Sequence, residues 1–338
     1  MRGMVFLGGR RVALRDFPAP TPGPGEAVVA IRAAGLCGSD LGLYRGERAA
    51  PWIGGHEPCG EVAALGPGAT GPEVGTRVIV YHYAGCGVCR YCRAGWEQLC
   101  ARGGHRVYGF GEHGGNAEAL VVPARALVPL PAPLSFEEGA AIACGTGTAY
   151  AALVRLDVSG RDTLAVYGQG PVGLSATLLG AAMGARVIAV DRLPARLALA
   201  RALGAAEVVD ATATDPVAAV RALTGGAGAD ATLDCTGSAA ARAQAVRSAR
   251  VFGRACFVGE GGTVTLDPSP DLIHRQLTLY GSWTFSTVLL EECARFIVER
   301  RVPLGRLITG RFPLEQAGEA FRQFEAGAPG KFVLFMPA

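Results

Sequence analysis

Four cysteines crowd one short stretch of this chain. GCGVCRYCRAGWEQLC places Cys86, Cys89, Cys92 and Cys100 at C-x2-C-x2-C-x7-C. Close spacing lets consecutive backbone turns aim sulfurs at one centre, and four thiolates fully satisfy a tetrahedral Zn²⁺. A site closed in this way has no position for water and is structural. An iron–sulfur cluster also takes four cysteines, but the spacing does not match the ferredoxin runs, which favours zinc. Elsewhere CGSD (Cys37–Asp40) and GGHE (Gly54–Glu57) carry further ligand types, and Cys144 lies in a helical stretch. Three protein ligands with an open position would make a catalytic zinc site. Spacing alone cannot join residues so far apart; a buried cysteine and a core histidine fit the periodicity equally well.

A third feature has the spacing of a phosphate-binding turn. TLAVYGQGPVGL sets Gly168, Gly170 and Gly173 as G-x-G-x-x-G, with Pro171 and Val172 inside the motif, between a strand pattern and a helix pattern. The first glycine permits a tight turn and the second lets backbone approach a pyrophosphate. The third packs helix on strand, whose N-terminal amides then face the phosphates. The next strand pattern, RVIAVD, ends in Asp191, where an acid can bind both ribose hydroxyls of NAD and repel the 2′-phosphate of NADP. Arg192 follows at once and leaves NADP open. Without a ligand, the same residues make an ordinary strand–helix turn with an acid at the strand end.

These groups need elements to position them. Residues 1–140 are rich in short β-prone runs (EAVVAIRAAG, GEVAALG, TRVIVYHY, AEALVVPARALVPLP) with Gly and Pro between them, which predicts an antiparallel, barrel-like domain. FEEGAAIACGTGTAYAALV then reads as one helix. Beyond it, strands TLAVYG, RVIAVD, EVVDA, DATLDCTG, RACFVGE and LTLYGSW alternate with helices PVGLSATLLGAAMG, PARLALARALG, DPVAAVRALTG and AARAQAVRSAR. Such alternation predicts a doubly wound α/β domain. The expected division is 1–145, carrying the cysteine lobe 86–100 and completed by 286–338, and 146–285 for the dinucleotide. The closing part offers helices LLEECARFIVERR and LEQAGEAFRQFEAG and a strand KFVLFMP.

Composition narrows the setting. The 338 residues suffice for two domains at roughly 150 each. A formal charge of +3 argues against a nucleic-acid partner. No apolar run approaches the roughly 20 residues of a membrane span, and MRGMVFLGGRRVALRDF meets charge too soon for a signal peptide. The expectation is a cytoplasmic chain without a membrane partner. Ten cysteines are many for a reducing compartment, and the four that crowd into 86–100 point to metal rather than disulfides.

Taken with GHEPCGEVAALGPGA and the terminal GKFVL, the sequence resembles the zinc-dependent medium-chain dehydrogenase/reductases over essentially its whole length. That family includes alcohol, polyol and threonine dehydrogenases. The resemblance implies an α/β architecture: a GroES-like β-barrel catalytic domain and a Rossmann domain, with the active site in the cleft between them. It implies two zinc ions per subunit, NAD with NADP possible, and a homodimer or homotetramer. Cys37, His56 and Cys144 match the catalytic zinc ligands, and Glu57 a nearby acid that can approach the metal. Asp40 matches the carboxylate that orients His56, and Ser39 the hydroxyl that receives the alcohol proton. Thr148 sits where the family contacts nicotinamide, Arg196 near the adenosine ribose, and Lys331 at a cation for the pyrophosphate. The proton relay of many relatives ends in a histidine where this chain has Gly42, so water or another group must finish it.

The expected activity is hydride transfer between a secondary alcohol, polyol or amino-alcohol and NAD. A zinc-free quinone or enone reductase on the same fold is the alternative within enzymes. A non-catalytic zinc-ribbon module fused to a nucleotide sensor is the alternative outside them. Tyr44, Trp52, His82 and Trp283 are pocket candidates from position, and His82 reads equally well as a solvated or structurally bonded histidine.

Overall fold

The computed structural model describes residues 1–336, which form two compact units. Pro337 and Ala338, the end of the KFVLFMP stretch and of the expected 286–338 segment, lie outside the described residues. One unit comprises Met1–Gly147, Phe285–Gly327 and the chain from Lys331; the other comprises Thr148–Thr284 and Ala328–Gly330.

In the first unit the strand Glu26–Gly35 holds the sheet together. Its β-branched and small residues suit a strand buried along most of its length. It pairs antiparallel with Pro58–Leu65, Ala119–Pro123 and Lys331–Phe335. Register shifts at Val28/Val29 and Ile31/Ala33 bend the ladder to Pro58–Leu65, as bulges do. Among the described residues, the antiparallel character of this sheet is interrupted at one edge. Ile308–Pro313, a strand the sequence did not disclose, runs parallel to Lys331–Phe335. A second undisclosed feature is the hairpin Arg2–Gly8/Arg11–Asp16, closed by Gly9 and Arg10 with φ of 60° and 59°. Two consecutive left-handed residues are what a tight hairpin turn requires.

The stretch expected as one helix is three segments. Ser135 and Glu138 form a capping box that starts Phe136–Ala141; a π-turn spans Ile142–Thr146; an α-helix resumes over Gly147–Arg155. Sequence periodicity cannot report such a turn, because one widened turn barely changes the apolar spacing. Cys144 sits in it.

The second unit is a six-stranded parallel sheet. Its order is Glu207–Asp210, Arg186–Asp191, Thr163–Tyr167, Ala229–Asp234, Ala249–Phe257 and Thr278–Gly281. The chain starts in the middle, winds to one edge, then returns to the other side of Thr163–Tyr167. This is the expected doubly wound fold, whose crevice opens where the winding reverses. Ala165, Tyr167, Ile188 and Val190 pack with Val220 and Ala245 from two flanking helices. Three crossover helices begin with proline (Pro171, Pro194, Pro216), whose missing N–H costs nothing there. No helix among the described residues is long and apolar enough to cross a membrane.

The fourth crossover helix stops at Ser248, short of the expected AARAQAVRSAR, because Ala249 already pairs with Ala229. The register then jumps to Ala231↔Arg254, so Arg250–Gly253 bulge outward. Phe252 caps the bulge with a left-handed φ of 57° and 68% of its surface exposed. A side chain in that conformation costs roughly 1–2 kcal/mol and here gains little burial in return. Phe252→Gly should therefore leave stability unchanged or raise it by up to about 1 kcal/mol after glycine's extra chain entropy. Denaturant unfolding checks this, and a loss above about 1 kcal/mol would contradict it.

Candidate metal centres and dinucleotide pocket

Cys37 lies just beyond strand Glu26–Gly35, and His56 and Glu57 lie just before strand Pro58–Leu65. Because Ala34 pairs with Pro58, the end of one strand meets the start of the other. The π-turn adds Cys144. Candidate ligand atoms of Cys37, His56, Glu57 and Cys144 all lie within 4.8 Å of one another. Asp40, fully buried, ties this corner together: Oδ2 accepts the Cys37 N–H at 2.9 Å, and Oδ1 meets His56 Nδ1 at 3.0 Å. With Nδ1–H donating to the carboxylate, Nε2 is the nitrogen left for a metal, which would displace the proton it otherwise carries. Ser39 Oγ lies 3.4 Å from that Nε2.

The electrostatics are those of a site built for a cation. Contact with Cys144 and with His56 outweighs burial and holds the Cys37 thiol well below its usual range. The same contact, together with burial, pushes Cys144 well above it. Burial opposes charge on His56, yet Asp40 and Cys37 raise its pKa well above the ordinary value. Burial pushes Glu57 up to about 7 against the pull of Lys331. Lys331, expected to serve a pyrophosphate, is 1% exposed; its ammonium forms an ion pair with Glu57 Oε2 and donates to the Leu36 carbonyl at 2.8 Å. In this structure its charge is committed to Glu57.

Two rings pack on His56. His82, 2% exposed, stands edge-on with ring centroids 5.1 Å apart, and Phe110 lies at the same distance. Burial and the nearby His56 push the His82 pKa well down, so its imidazole is neutral. Its ring N–H meets the Ala143 carbonyl, while Nδ1 is buried without a partner. Phe110 escaped the sequence reading because it lies in the glycine-rich stretch YGFGEHGG, which has no periodicity to weigh. Trp52 Nε1 donates to the Gly109 carbonyl at 3.1 Å, which places it next to Phe110. Tyr44 is elsewhere: it is 4% exposed and stacks on Phe321 at 5.3 Å, a core contact. Gly42 has open space around it. Thr148 (7% exposed) and Trp283 (40% exposed) belong to the second unit.

In the lobe, the four sulfurs of Cys86, Cys89, Cys92 and Cys100 also lie within 4.8 Å of one another. Cys89–Cys92 and Cys86–Cys92 separations of 3.4 and 3.9 Å bracket the roughly 3.8 Å that tetrahedral Zn–S bonds impose. Backbone amides point inward: the N–H of Cys86 reaches Cys100 Sγ and that of Cys89 reaches Cys86 Sγ, both at 3.4 Å. Amides of Cys92 and Ala101 lower Cys89 to about 6, whereas burial raises Cys92 to about 12. Glu97, 4% exposed, braces the lobe by accepting from the Gly85 N–H and from Arg125.

The second unit holds a cavity of about 860 Å³ lined by Gly168, Gly170, Asp191, Arg192 and Arg196, among others. Gly168 has φ of 86°, and a Cβ on Gly173 would fall 1.7 Å from the Gly168 carbonyl. No other residue fits at 173. Gly170 caps the helix that opens with Pro171 and Val172, so its free amides face the cavity side of the turn. Asp191 also ties the turn: Oδ2 accepts from Gln169 N–H, and Oδ1 from Arg192 and Leu193 N–H at 2.7 and 2.9 Å. A carboxylate offers about four acceptor sites, so capacity remains for a ribose hydroxyl.

Residues 23–132 match the alcohol dehydrogenase GroES-like domain, and residues 171–299 match the zinc-binding dehydrogenase domain. An uncharacterised zinc-type alcohol dehydrogenase-like protein of Escherichia coli strain K12, YphC, is 40% identical, covering 100% of this chain and 99% of its own. The L-threonine 3-dehydrogenase of Mesorhizobium japonicum is 31% identical over 95% of this chain and 94% of its own. The solved structure of alcohol dehydrogenase TADH from Thermus sp. ATN1 matches with a TM-score of 0.91 at 32% identity, covering 100% of both chains. The sequence match, the thiol-rich sets and the glycine-rich turn agree, and the chain belongs to the zinc-dependent, NAD(P)-dependent alcohol dehydrogenases of the medium-chain family.

Proposed function

We propose that the enzyme moves hydride between NAD and a secondary alcohol, polyol or amino-alcohol, with zinc held by Cys37, His56 and Cys144 and a second zinc held by the four-cysteine lobe. The buried convergence of Cys37, His56 and Cys144, with Asp40 fixing the imidazole, carries this reading. When bound there, zinc supplies the Lewis acidity that lets an alcohol release its proton near neutral pH, and the nicotinamide takes the hydride. The chain's own residues do the rest. Asp40 holds His56 in the tautomer that leaves Nε2 free. Ser39 Oγ, 3.4 Å from Nε2, is the hydroxyl placed to receive the alcohol proton, and Gly42 hands its exit to water. Glu57 is a second carboxylate within reach of the metal position, balanced by Lys331. The unpartnered His82 Nδ1 can accept a hydrogen bond from a second hydroxyl or an amine, which supports a polar substrate. Thr148 is assigned to nicotinamide and Arg196 to the adenosine ribose.

A zinc-free quinone or enone reductase would leave the buried thiols and imidazole without a role. A homodimer or homotetramer is supported by the exposed edge strand Thr278–Gly281, whose Leu279 is 38% exposed. A cytoplasmic setting suits ten unpaired cysteines.

NAD reduction over polyols, amino-alcohols and alkanols, with metal analysis, tests the reading. The metal ratio should be near two per subunit. Cys37→Ser should stay folded and lose turnover, whereas Cys92→Ser should lose stability, because it opens a closed site. A ratio near one with full activity would contradict the three-ligand zinc.

Cofactor choice should follow Asp191. Asp191→Asn keeps one oxygen acceptor but removes the charge facing a 2′-phosphate, with Arg192 and Arg196 left to pair with it. The NADP/NAD ratio of kcat/KM should rise at least tenfold, about 1.4 kcal/mol. Stability should fall as the Gln169, Arg192 and Leu193 amides lose an ionised partner. A wild type that already prefers NADP would show that Arg192 governs this pocket.

A further inference from the structure

Phe285 touches the neighbourhoods of both cysteine sets. It is fully buried, and its carbonyl accepts from Gln98 Nε2 at 3.0 Å. The Tyr81 hydroxyl lies 2.9 Å from the same carbonyl and also contacts Gln98 Oε1. Gln98, 2% exposed, sits on the 3₁₀ turn Glu97–Leu99 that leads into Cys100, so it is part of the lobe. Thr287 strengthens the tie, donating its N–H to the Gly95 carbonyl at 3.1 Å.

The ring of Phe285 faces the other set. It packs so closely on Gly147 that a Cβ there would fall 2.9 Å from Phe285 Cε1. Gly147 ends the π-turn Ile142–Thr146, which carries Cys144. The ring also lies 5.8 Å from that of Tyr81 and 6.3 Å from that of His82. A π-turn is rare and needs its surroundings to hold it. Relaxing it towards α-helical geometry would rotate Cys144 away from Cys37 and His56. The turn thus depends on its surroundings, and the lobe grips the residue packed against its end.

We propose that Gln98, Tyr81 and Phe285 couple the two cysteine sets, making the lobe a positioning element for Cys144, so that metal in the lobe tightens metal binding at Cys37, His56 and Cys144. The coupling rests on the reading that both sets hold zinc, and by linkage it is reciprocal. Gln98 and Tyr81 are positioning residues; neither touches the reacting atoms.

The test uses the full-length enzyme with zinc in the lobe and cobalt exchanged into the open set, comparing wild type with Gln98→Met and Tyr81→Phe. The readouts are the cobalt absorption spectrum, the rate of cobalt release to a chelator, and zinc retained in the lobe. Gln98→Met removes both amide bonds at similar volume and should speed cobalt release about fivefold or more, with a shifted spectrum and the lobe zinc retained. Tyr81→Phe should fall between it and wild type, and it carries the test alone if Gln98→Met does not fold. Lower thermal stability with unchanged spectrum and release in the folded variants would overturn the coupling. A wild type that takes cobalt only into the lobe would instead overturn the three-ligand reading beneath it.

Discussion

Two thiols, an imidazole, two carboxylates and an ammonium group withdrawn from water in one corner must each find a partner, and the first unit is organised around that demand. Burying such groups unpaired costs several kcal/mol apiece. Asp40 answers for His56, Lys331 for Glu57, and Cys37 and Cys144 answer for each other. At its centre, ligand atoms of Cys37, His56, Glu57 and Cys144 converge. On the function proposed above, a divalent cation would join them there. The bulged strand Glu26–Gly35, its antiparallel neighbour and the π-turn together bring those groups to one corner.

The lobe meets the same demand locally. Its four thiols come from one short segment, and backbone amides rather than distant side chains face the sulfurs. Glu97 and Arg125 brace it, and Gln98 reaches out of it to Phe285. Four thiols would close such a set around a metal, whereas a three-ligand set would leave room for a substrate. In the second unit no metal enters the argument: glycines at 168 and 173 bring backbone close, and Asp191 fixes the turn while keeping acceptor capacity for a ribose.

Legibility followed sequence distance. The lobe, the glycine-rich turn and the strand–helix alternation are local patterns, and the structure places them where the pattern puts them. Joining Cys37, His56 and Cys144 needed the family resemblance, since strand pairing such as Ala34 with Pro58 leaves no trace in either segment. The N-terminal hairpin, the parallel edge strand Ile308–Pro313 and the π-turn were missed for related reasons: short runs and a single widened turn carry almost no periodicity. Tyr44 was misplaced because an aromatic near a site motif looks the same whether it faces ligand or Phe321. Lys331, matched by resemblance to a cation for the pyrophosphate, lies far along the chain from Glu57, and only the fold shows the two paired.

The central claim is that one closed and one open thiol-rich set both hold zinc, and zinc K-edge X-ray absorption on the purified enzyme tests it most directly. Four sulfurs in the lobe and two in the open set average to about three sulfurs and one nitrogen or oxygen per zinc, with Zn–S near 2.3 Å and Zn–N/O near 2.0–2.1 Å. That average, with its short nitrogen or oxygen shell, is the predicted result. A first shell of sulfur alone would mean that only the lobe is filled, and would contradict the assignment of Cys37, His56 and Cys144.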